Sequence, residues 1–262
     1  MLLSSSIFTM SLLVLHICLL SSVFLMLLPA ATASSSSEFR RSKAEYYRSP
    51  DCLGTSTGAC GYGIHGSTIN NALVAGVSGL WNNGIGCGAC YQVRCKADNL
   101  CKEEGITVVV TDNASGGDID FILSAHAFGS MAHPGKTADL FWKGVVDVEY
   151  RRTTCQFPGY NLIFKVVEQS NFPHYLAIAP MFHGGENDIF GLEISLEGGE
   201  EWKSMNKAWG GVWDLPNPPS GALKVKVKVG TSNGEQKWVE ANKALPSSWK
   251  PGAGYDSHVK LA

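Results

Sequence analysis

The sequence predicts a mainly β protein of two domains. In the first half, short β-type runs alternate with Gly-rich turns, and the second half is nearly all β, with runs at the spacing of a β-sandwich. Beyond residue 33, every cysteine lies between Cys52 and Cys155, and roughly one hundred residues after Cys155 contain none. We therefore place the boundary between the domains near residues 156–159, just past the last cysteine.

The chain begins with an apolar leader. Residues 1–33 contain no Lys, Arg, Asp or Glu, and they end on Ala31-Thr32-Ala33, the small-x-small pattern of a signal-peptidase site. We expect residues 1–33 to be a cleaved signal peptide, which leaves 229 residues (262 minus 33). A retained membrane anchor is the alternative, because no basic residue precedes the apolar run and the segment 7–28 is long enough to cross a bilayer.

Local patterns predict strands in both halves and one helix. The helix is expected from Ser124 to Ala132, because His133-Pro134-Gly135 stops it. Runs of β-branched and aromatic residues, in part with strict alternation, predict the strands. They are Tyr91–Arg94, Ile106–Thr111 and Val145–Tyr150 in the first half, and Leu162–Val167, Tyr175–Ala179, Ile189–Leu196 and Leu223–Val229 in the second.

Four cysteines lie close together, in Cys87-Gly-Ala-Cys90-Tyr-Gln-Val-Arg-Cys95 and at Cys101. A zinc site is disfavoured, because the second half of a paired Cys-x-x-Cys site is missing and the histidines lie far from the cluster. A redox pair is disfavoured because Cys87 and Cys90 lack the surrounding strand-helix-strand pattern. In a secreted chain we therefore expect disulfides, each contributing about 2 to 4 kcal/mol, and neither a metal nor another cofactor.

The charge balance excludes one class of partner. The net charge is -2 and the isoelectric point is near 6.4, so the chain offers no strongly basic surface for nucleic acid. After residue 33 no apolar run is long enough to span a membrane, so we expect no membrane partner once the leader is removed.

Five motifs occur in a characteristic order within the stretch from about Lys43 to Leu261. They are Gly58–Gly63, Asn82–Tyr91, Val110–Asp112, Ala127–Ala132 and Val148–Arg152. Taken together, they resemble the expansin superfamily of plant cell-wall proteins, and within it the expansin-like B branch. The resemblance implies that residues 43–155 form a six-stranded double-psi β-barrel related to family 45 glycoside hydrolases. It also implies that residues 160–262 form an immunoglobulin-like β-sandwich that binds polysaccharide.

The resemblance also implies a disulfide pairing and leaves one cysteine over. The implied bridges are Cys60–Cys87, Cys90–Cys155 and Cys95–Cys101. Cys52 has no counterpart in this scheme. We expect it to be a buried thiol, and an intermolecular bridge or a reactive thiol is the alternative.

Whether the barrel could hydrolyse a glycan depends on two carboxyl groups. Asp112 matches an aspartate that expansins keep in their groove, but the position of their second aspartate is occupied by Ile122. Asp120 lies two residues earlier, and because side chains at i and i+2 of a strand share a face, it could point into the same groove. Asp112 and Asp120 are therefore the candidate catalytic residues, and hydrolysis is the less favoured function.

The family pattern near the N-terminus is only partly kept. The family's Ala-Thr-Trp/Tyr-Tyr-Gly reads Ala44-Glu45-Tyr46-Tyr47-Arg48, which leaves Tyr46 and Tyr47 as candidate substrate-binding residues and changes their two flanking positions. A further groove aspartate of β-expansins falls on Thr55. The hydrolase general base has no match, although Asp51 lies close in sequence.

One glycosylation sequon lies beside the candidate site. Asn113-Ala114-Ser115 starts directly after Asp112, and it is the only such sequon after residue 33. A glycan on Asn113 would stand beside the groove. The alternative is that Asn113 is unmodified, because sequons inside tight turns often are.

Flat aromatic faces bind the apolar C–H surface of pyranose rings. The second half has eight Tyr and Trp residues, most of which we expect in the core or in turns. The resemblance selects Tyr175 and Trp209 as an exposed polysaccharide-binding platform, and packing is the alternative role.

The strand Leu223–Val229 alternates lysine with valine, which predicts a lysine face and a core face. Lys224, Lys226 and Lys228 are expected to form an ordinary solvated face. A cationic stripe for the uronic acids of pectin is the alternative, and its binding would weaken with salt.

Together these features predict a secreted, monomeric cell-wall protein. We expect the barrel and the sandwich to form one groove that binds cellulose, hemicellulose or pectin and loosens the wall without cutting it. A glycosidase related to family 45 endoglucanases is one alternative. A carbohydrate-binding barrel protein without loosening activity is the other.

Overall fold

A computed structural model describes residues 38–114, 117–230 and 234–261. The predicted signal peptide and Ser115 of the sequon lie outside the described residues. Within the described part of the chain, no helix has the length and apolar character needed to cross a membrane. The mainly β class is confirmed: one closed barrel and two further sheets account for the strands.

Six strands close the barrel in the order β1-β5-β2-β4-β3-β6. Strands β1 and β5, and β2 and β4, are parallel although they are not consecutive, and the remaining pairs are antiparallel. This closed six-stranded barrel confirms the fold that the resemblance implied. The strands are β1 Arg40–Tyr46, β2 Val74–Val77, β3 Cys90–Cys95, β4 Ile106–Asn113, β5 Phe121–Leu123 and β6 Val146–Arg152.

Alternation along the barrel strands separates a core face from an outer face. On β6 the predicted alternation is present: Val146, Val148 and Tyr150 are buried in the barrel core, whereas Asp147 is exposed. The described helices are short, and they are α1 His65–Thr68, α2 Ala125–Ser130 and α3 Thr137–Lys143. The predicted helix corresponds to α2.

The second half forms a β-sandwich. Its four-stranded sheet has the order β10-β9-β13-β14, and its five-stranded sheet has the order β11-β12-β8-β7-β15. An apolar core lies between them. The strands are β7 Ile163–Val166, β8 Tyr175–Met181, β9 Asp188–Leu196, β10 Lys203–Ser204, β11 Asn206–Trp209, β12 Val212–Pro216, β13 Leu223–Gly230, β14 Gln236–Leu245 and β15 Gly254–Asp256.

The barrel and the sandwich pack closely within the compact unit 36–262. An apolar cluster joins Val74 and Val109 of the barrel to Ala177 and Val212 of the five-stranded sheet. Gly185 lies against Cys90 so closely that a Cβ atom would overlap its Sγ atom. Burial across this contact ties the two parts together. The domain boundary at residues 156–159 stays a prediction.

The structure contains three disulfides, at the pairs that the resemblance implied: Cys60–Cys87, Cys90–Cys155 and Cys95–Cys101. The expectation of a buried thiol at Cys52 is wrong, because Cys52 is free and exposed. It lies in a turn after β1, where its N–H donates to the carbonyl of Ser49 and the Asp51 carboxylate accepts from the N–H of Leu53.

Candidate functional site

The centre of the candidate groove is Asp112, near the end of β4. Its Oδ1 atom accepts hydrogen bonds from the backbone N–H of Ala59 at 2.7 Å and of Asn113 at 2.8 Å. Its Oδ2 atom accepts one from the phenol of Tyr47 at 3.0 Å. Three donors therefore hold the carboxylate in one orientation, and both of its oxygen atoms already act as acceptors.

Tyr47 reaches Asp112 because β2 carries no side chain between them. A Cβ atom on Gly76 would overlap the Tyr47 Oη atom, so only glycine fits there. Burial, followed by the negative charge of Asp112 and their hydrogen bond, raises the pKa of Tyr47 well above its usual value. The phenol is therefore a fixed, protonated donor beside the carboxylate.

The residue opposite Asp112 is not an acid. Register places Gly76 opposite both Asp112 and Ile122, and Ile122 opposite Glu45, so these four residues form one row across the outer face of the barrel. The row thus carries an isoleucine where a second carboxyl group would face Asp112 across the glycine.

The i and i+2 spacing predicted that Asp120 could point into the same groove, and the structure does not place it there. Asp120 precedes β5, so the alternation of side chains along that strand does not apply to it. Its carboxylate accepts hydrogen bonds from the hydroxyl of Ser42 at 2.8 Å and of Ser78 at 3.3 Å. Ser42 lies on the core side of β1, opposite Val148. Strand spacing puts the Cα atoms of Asp112 and Asp120 about 12 Å apart.

Tyr46 and Tyr47 point to opposite sides of the chain. The Tyr46 ring packs at 4.8 Å from both Phe128 and Phe141, and the guanidinium of Arg48 lies 5.6 Å from its centroid. Adjacent residues of an extended strand face opposite ways, so only Tyr47 lies at Asp112. Tyr46 instead lines a separate cleft at the end of β1.

The loop that holds Asp112 also contacts the sandwich. Gly210, with φ of 45°, lies against the Ala59 carbonyl, and a Cβ atom there would overlap that oxygen. The turn of Gly210 and Gly211 directly follows Trp209, whose side chain is 40 % exposed. Trp209 is thereby placed next to the loop whose N–H binds Asp112.

Tyr175 lies on the same face of the five-stranded sheet as Trp209. Tyr175 pairs with Pro216 and Trp209 with Val212, and alternation puts both partners on one face of β12. The phenol of Tyr175 donates to the Asp214 carboxylate at 2.8 Å. Burial, and then this bond, raise the pKa of Tyr175 to about 12. The ring is half-buried and fixed.

The lysine face is more ordered than an ordinary solvated face. Lys226 pairs with Glu193 at 2.6 Å, and Lys224 pairs with Glu240 at 3.2 Å. The ammonium of Lys226 also lies between two indole rings, those of Trp202 and Trp238. These contacts neutralise two of the three lysines, which weakens the alternative of a cationic stripe for uronic acids.

The remaining candidates are Asn113, Asp51 and Thr55, and only Asn113 contacts Asp112. Asn113 is exposed and donates its N–H to Asp112, so a glycan on its side chain would stand beside the carboxylate. Asp51 caps a local turn, and the Thr55 hydroxyl bonds that of Thr57. Neither bonds to Asp112.

Two family models match the chain. The model described as "Lytic transglycolase" matches residues 73–150 in the barrel, and the model for the "Expansin C-terminal domain" matches residues 162–246 in the sandwich. The chain is also 48% identical to Expansin-like B1 of Arabidopsis thaliana over 248 residues, which cover 94% of this chain and 98% of the relative.

The chain belongs to the expansin family. This expansin is also 38% identical to Expansin-like B1 of Oryza sativa subsp. japonica, over 87% of this chain and 91% of the relative. The crystal structure of an expansin from Clavibacter michiganensis has a TM-score of 0.62 with 18% identity, over 86% of this chain and 98% of that one. A mutant of the bacterial protein in complex with cellohexaose gives 0.63 over the same shares. These two likenesses show a shared fold.

Sequence reasoning named Asp112, Tyr47, Tyr175 and Trp209 as candidates, but it missed the groups that contact them. The hydrogen-bond donor Ala59, the acceptor Asp214 and the close approach at Gly76 depend on strand register. It also missed Trp142 on α3, whose side chain is 90% exposed. An Asn-Gly or Cys-x-x-Cys pattern can be recognised from adjacent residues. These contacts join residues that are far apart in the sequence, so no local pattern predicts them.

Proposed function

We propose that this expansin binds a cell-wall glycan along one groove that crosses the barrel and the five-stranded sheet, and that it loosens the wall without hydrolysis. The observation that carries this proposal is a chain of contacts. Tyr47 bonds Asp112, Asp112 bonds Ala59, and Ala59 touches the turn that follows Trp209. Polar groups on the barrel thus adjoin an aromatic platform on the sandwich.

Cellulose or hemicellulose is the ligand that suits such a groove. An exposed indole offers a flat apolar face to a pyranose ring, and fixed carboxylate and phenol groups can bind its hydroxyls. The family membership and the bacterial neighbour that was crystallised with cellohexaose support this choice.

The arrangement of carboxyl groups disfavours hydrolysis. Retaining glycosidases place two carboxyl groups about 5 to 5.5 Å apart, and inverting enzymes about 6.5 to 9.5 Å apart. Here the row partner of Asp112 is Ile122, and Asp120 accepts from Ser42 on the core side of β1 and from Ser78 directly after β2. Asp112 and Asp120 thus make separate sets of hydrogen bonds rather than forming a carboxyl pair that is joined by a common contact.

A glycosidase is the second candidate. One observation favours it: the barrel matches the model described as "Lytic transglycolase". A binding protein without loosening activity is the third candidate, and wall-creep assays on isolated wall strips separate it from the first.

We further propose that residues 1–33 direct secretion and that the mature monomer acts in the cell wall. The apolar leader with its small-x-small end and the three disulfides support this location. We also propose that Asn113 of the secreted protein carries a glycan.

A pull-down with insoluble cellulose tests the binding. The mature full-length chain is the right material, because the apolar face of the sandwich is covered by the barrel. We expect Trp209→Ala to lower affinity about tenfold, since a stacked ring contributes on the order of 1 kcal/mol beyond area burial. Trp238→Ala, on the other sheet, is the matched control. Equal binding by wild type and Trp209→Ala would refute the groove.

A further inference from the structure

Trp142 is the most exposed large apolar side chain of the described residues, at 90%. It occupies the last turn of α3, and Gly144 ends that helix with φ of 69°. Indoles are mostly buried in folded proteins, whereas this one lies exposed at a cleft that Tyr46 and Arg48 also line. Trp142 has no part in the groove of Asp112.

The cleft beside Trp142 has a rigid floor and the size of a sugar site. Its volume is about 520 Å³, within the range of about 300 to 1,000 Å³ typical of ligand pockets. The Tyr46 ring forms the floor, wedged against Phe128 and Phe141, with its hydroxyl 3.5 Å from the Phe141 carbonyl. A Cβ atom on Gly144 would meet nothing within 4 Å, so the cleft is open on that side.

Arg48 supplies the charge of this cleft. Its guanidinium lies over the Tyr46 ring and, among the described residues, forms no ion pair with a carboxylate. The acidic residue of the neighbouring helix, Asp139, is already paired with Lys136 at 3.1 Å. An arginine held on an aromatic ring presents a planar fork of donors suited to a carboxylate ligand.

We propose that Trp142, Arg48 and Tyr46 form a second glycan site that takes an acidic pyranose, a uronic acid residue of a wall polysaccharide. The indole stacks on the sugar ring, and the guanidinium binds the sugar carboxylate. A neutral sugar would leave Arg48 without its partner. The inference rests on the proposed function only in taking the ligand to be a wall glycan, because this cleft lies on the other side of β1 from Asp112.

The test compares two soluble probes of equal length on the mature full-length protein: hexagalacturonate, which is acidic, and cellohexaose, which is neutral. We expect Trp142→Ala and Arg48→Gln each to weaken hexagalacturonate binding at least tenfold and to change cellohexaose binding less than twofold. Arg48→Lys keeps the charge but loses the fork, so it should give an intermediate loss. Raising the salt concentration should weaken only the acidic probe.

Exposed controls keep the result interpretable. Trp238 and Lys237 lie on the four-stranded sheet of the sandwich. Trp238→Ala and Lys237→Gln should therefore leave the binding of both probes unchanged. Trp142→Ala should not change the melting temperature, because the removed side chain is almost wholly exposed. Trp209→Ala should weaken cellohexaose alone.

Three outcomes would overturn the inference. Hexagalacturonate binding that is absent, or that ignores both Arg48 and Trp142, would refute the second site. Loss with Trp142→Ala but not with Arg48→Gln would refute the acidic ligand. If cellohexaose still binds in these cases and its binding depends on Trp209, the proposed function holds. If the wild-type protein binds neither probe, both the second site and the proposed function are refuted.

Discussion

The phenol of Tyr47 donates a hydrogen bond of 3.0 Å to Asp112 across the backbone of Gly76. Tyr47 directly follows β1 and Asp112 lies on β4, and these strands are not neighbours in the barrel, since β5 and β2 separate them. A Cβ atom on Gly76 would overlap the Tyr47 Oη atom, so the glycine leaves the space that the phenol needs to reach Asp112. The centre of the groove is therefore set by one glycine as much as by the acid.

Gly76→Ala should dislodge Tyr47 from Asp112. The new methyl would overlap the Tyr47 Oη atom, and overpacking of this kind costs about 1 to 3 kcal/mol. Thermal unfolding measures the loss. Adding Tyr47→Phe removes the oxygen, so the double variant should regain part of the stability. If Gly76→Ala and the double variant Gly76→Ala with Tyr47→Phe were equally stable, the overlap between the new methyl and the Tyr47 oxygen would be contradicted.

Alkaline pH should destabilise the fold through its tyrosines. Burial raises the pKa of Tyr175 to about 12, and burial raises that of Tyr47 further. Unfolded tyrosine titrates near pH 10, so above about pH 10 the unfolded chain loses protons that the folded chain keeps. The free energy of unfolding is thus at its full value below about pH 10 and falls as pH rises through about 12.

Denaturant unfolding between neutral pH and about pH 12 measures this slope. Tyr175→Phe should make the slope shallower, because one of the groups is removed. Tyr160→Phe, at an exposed ring, serves as the control. A slope that Tyr175→Phe leaves unchanged would contradict the assignment.

No reducing ends should appear when the protein is incubated with amorphous cellulose, xyloglucan or mixed-linkage glucan. The row partner of Asp112 across Gly76 is Ile122, which cannot act as the second carboxyl group of a glycosidase. Asp112→Asn provides the control for contaminating enzymes. Steady release by the wild type that Asp112→Asn abolishes would establish a glycosidase instead.

One thiol per native molecule should react with a maleimide, and peptide mass mapping should place the label on Cys52. Cys52 is exposed and free, whereas the other six cysteines after the leader are in bridges. Cys52→Ser should abolish labelling and leave the melting temperature unchanged. A bridge that includes Cys52 would contradict the structure, because another cysteine would then be orphaned.

Much of the fold could be predicted, because its signals are local. Alternation along β6 and β13 assigned their core faces, and the lysines of β13 do lie on the outer face. What alternation could not supply is the partner on the next strand. Glu193 and Glu240 reach Lys226 and Lys224 through register between distant segments.

The candidate site was predictable only in part, for a related reason. Tyr46 and Tyr47 are adjacent, so one strand rule already requires them to face opposite ways once β1 is recognised. Asp120 shows the limit of that rule, because it stands just before β5 and turns toward Ser42. The exposure of Trp142 depends on what the rest of the chain leaves uncovered, and no local pattern encodes it.

A crystal structure of the mature protein with cellohexaose tests the central claim most directly. The proposed groove predicts an intact chain with one sugar ring stacked on Trp209 and the chain running past Ala59 toward Asp112. Cellohexaose on the outer face of the four-stranded sheet, against Trp202 and Trp238, or cleaved products at Asp112, would contradict it.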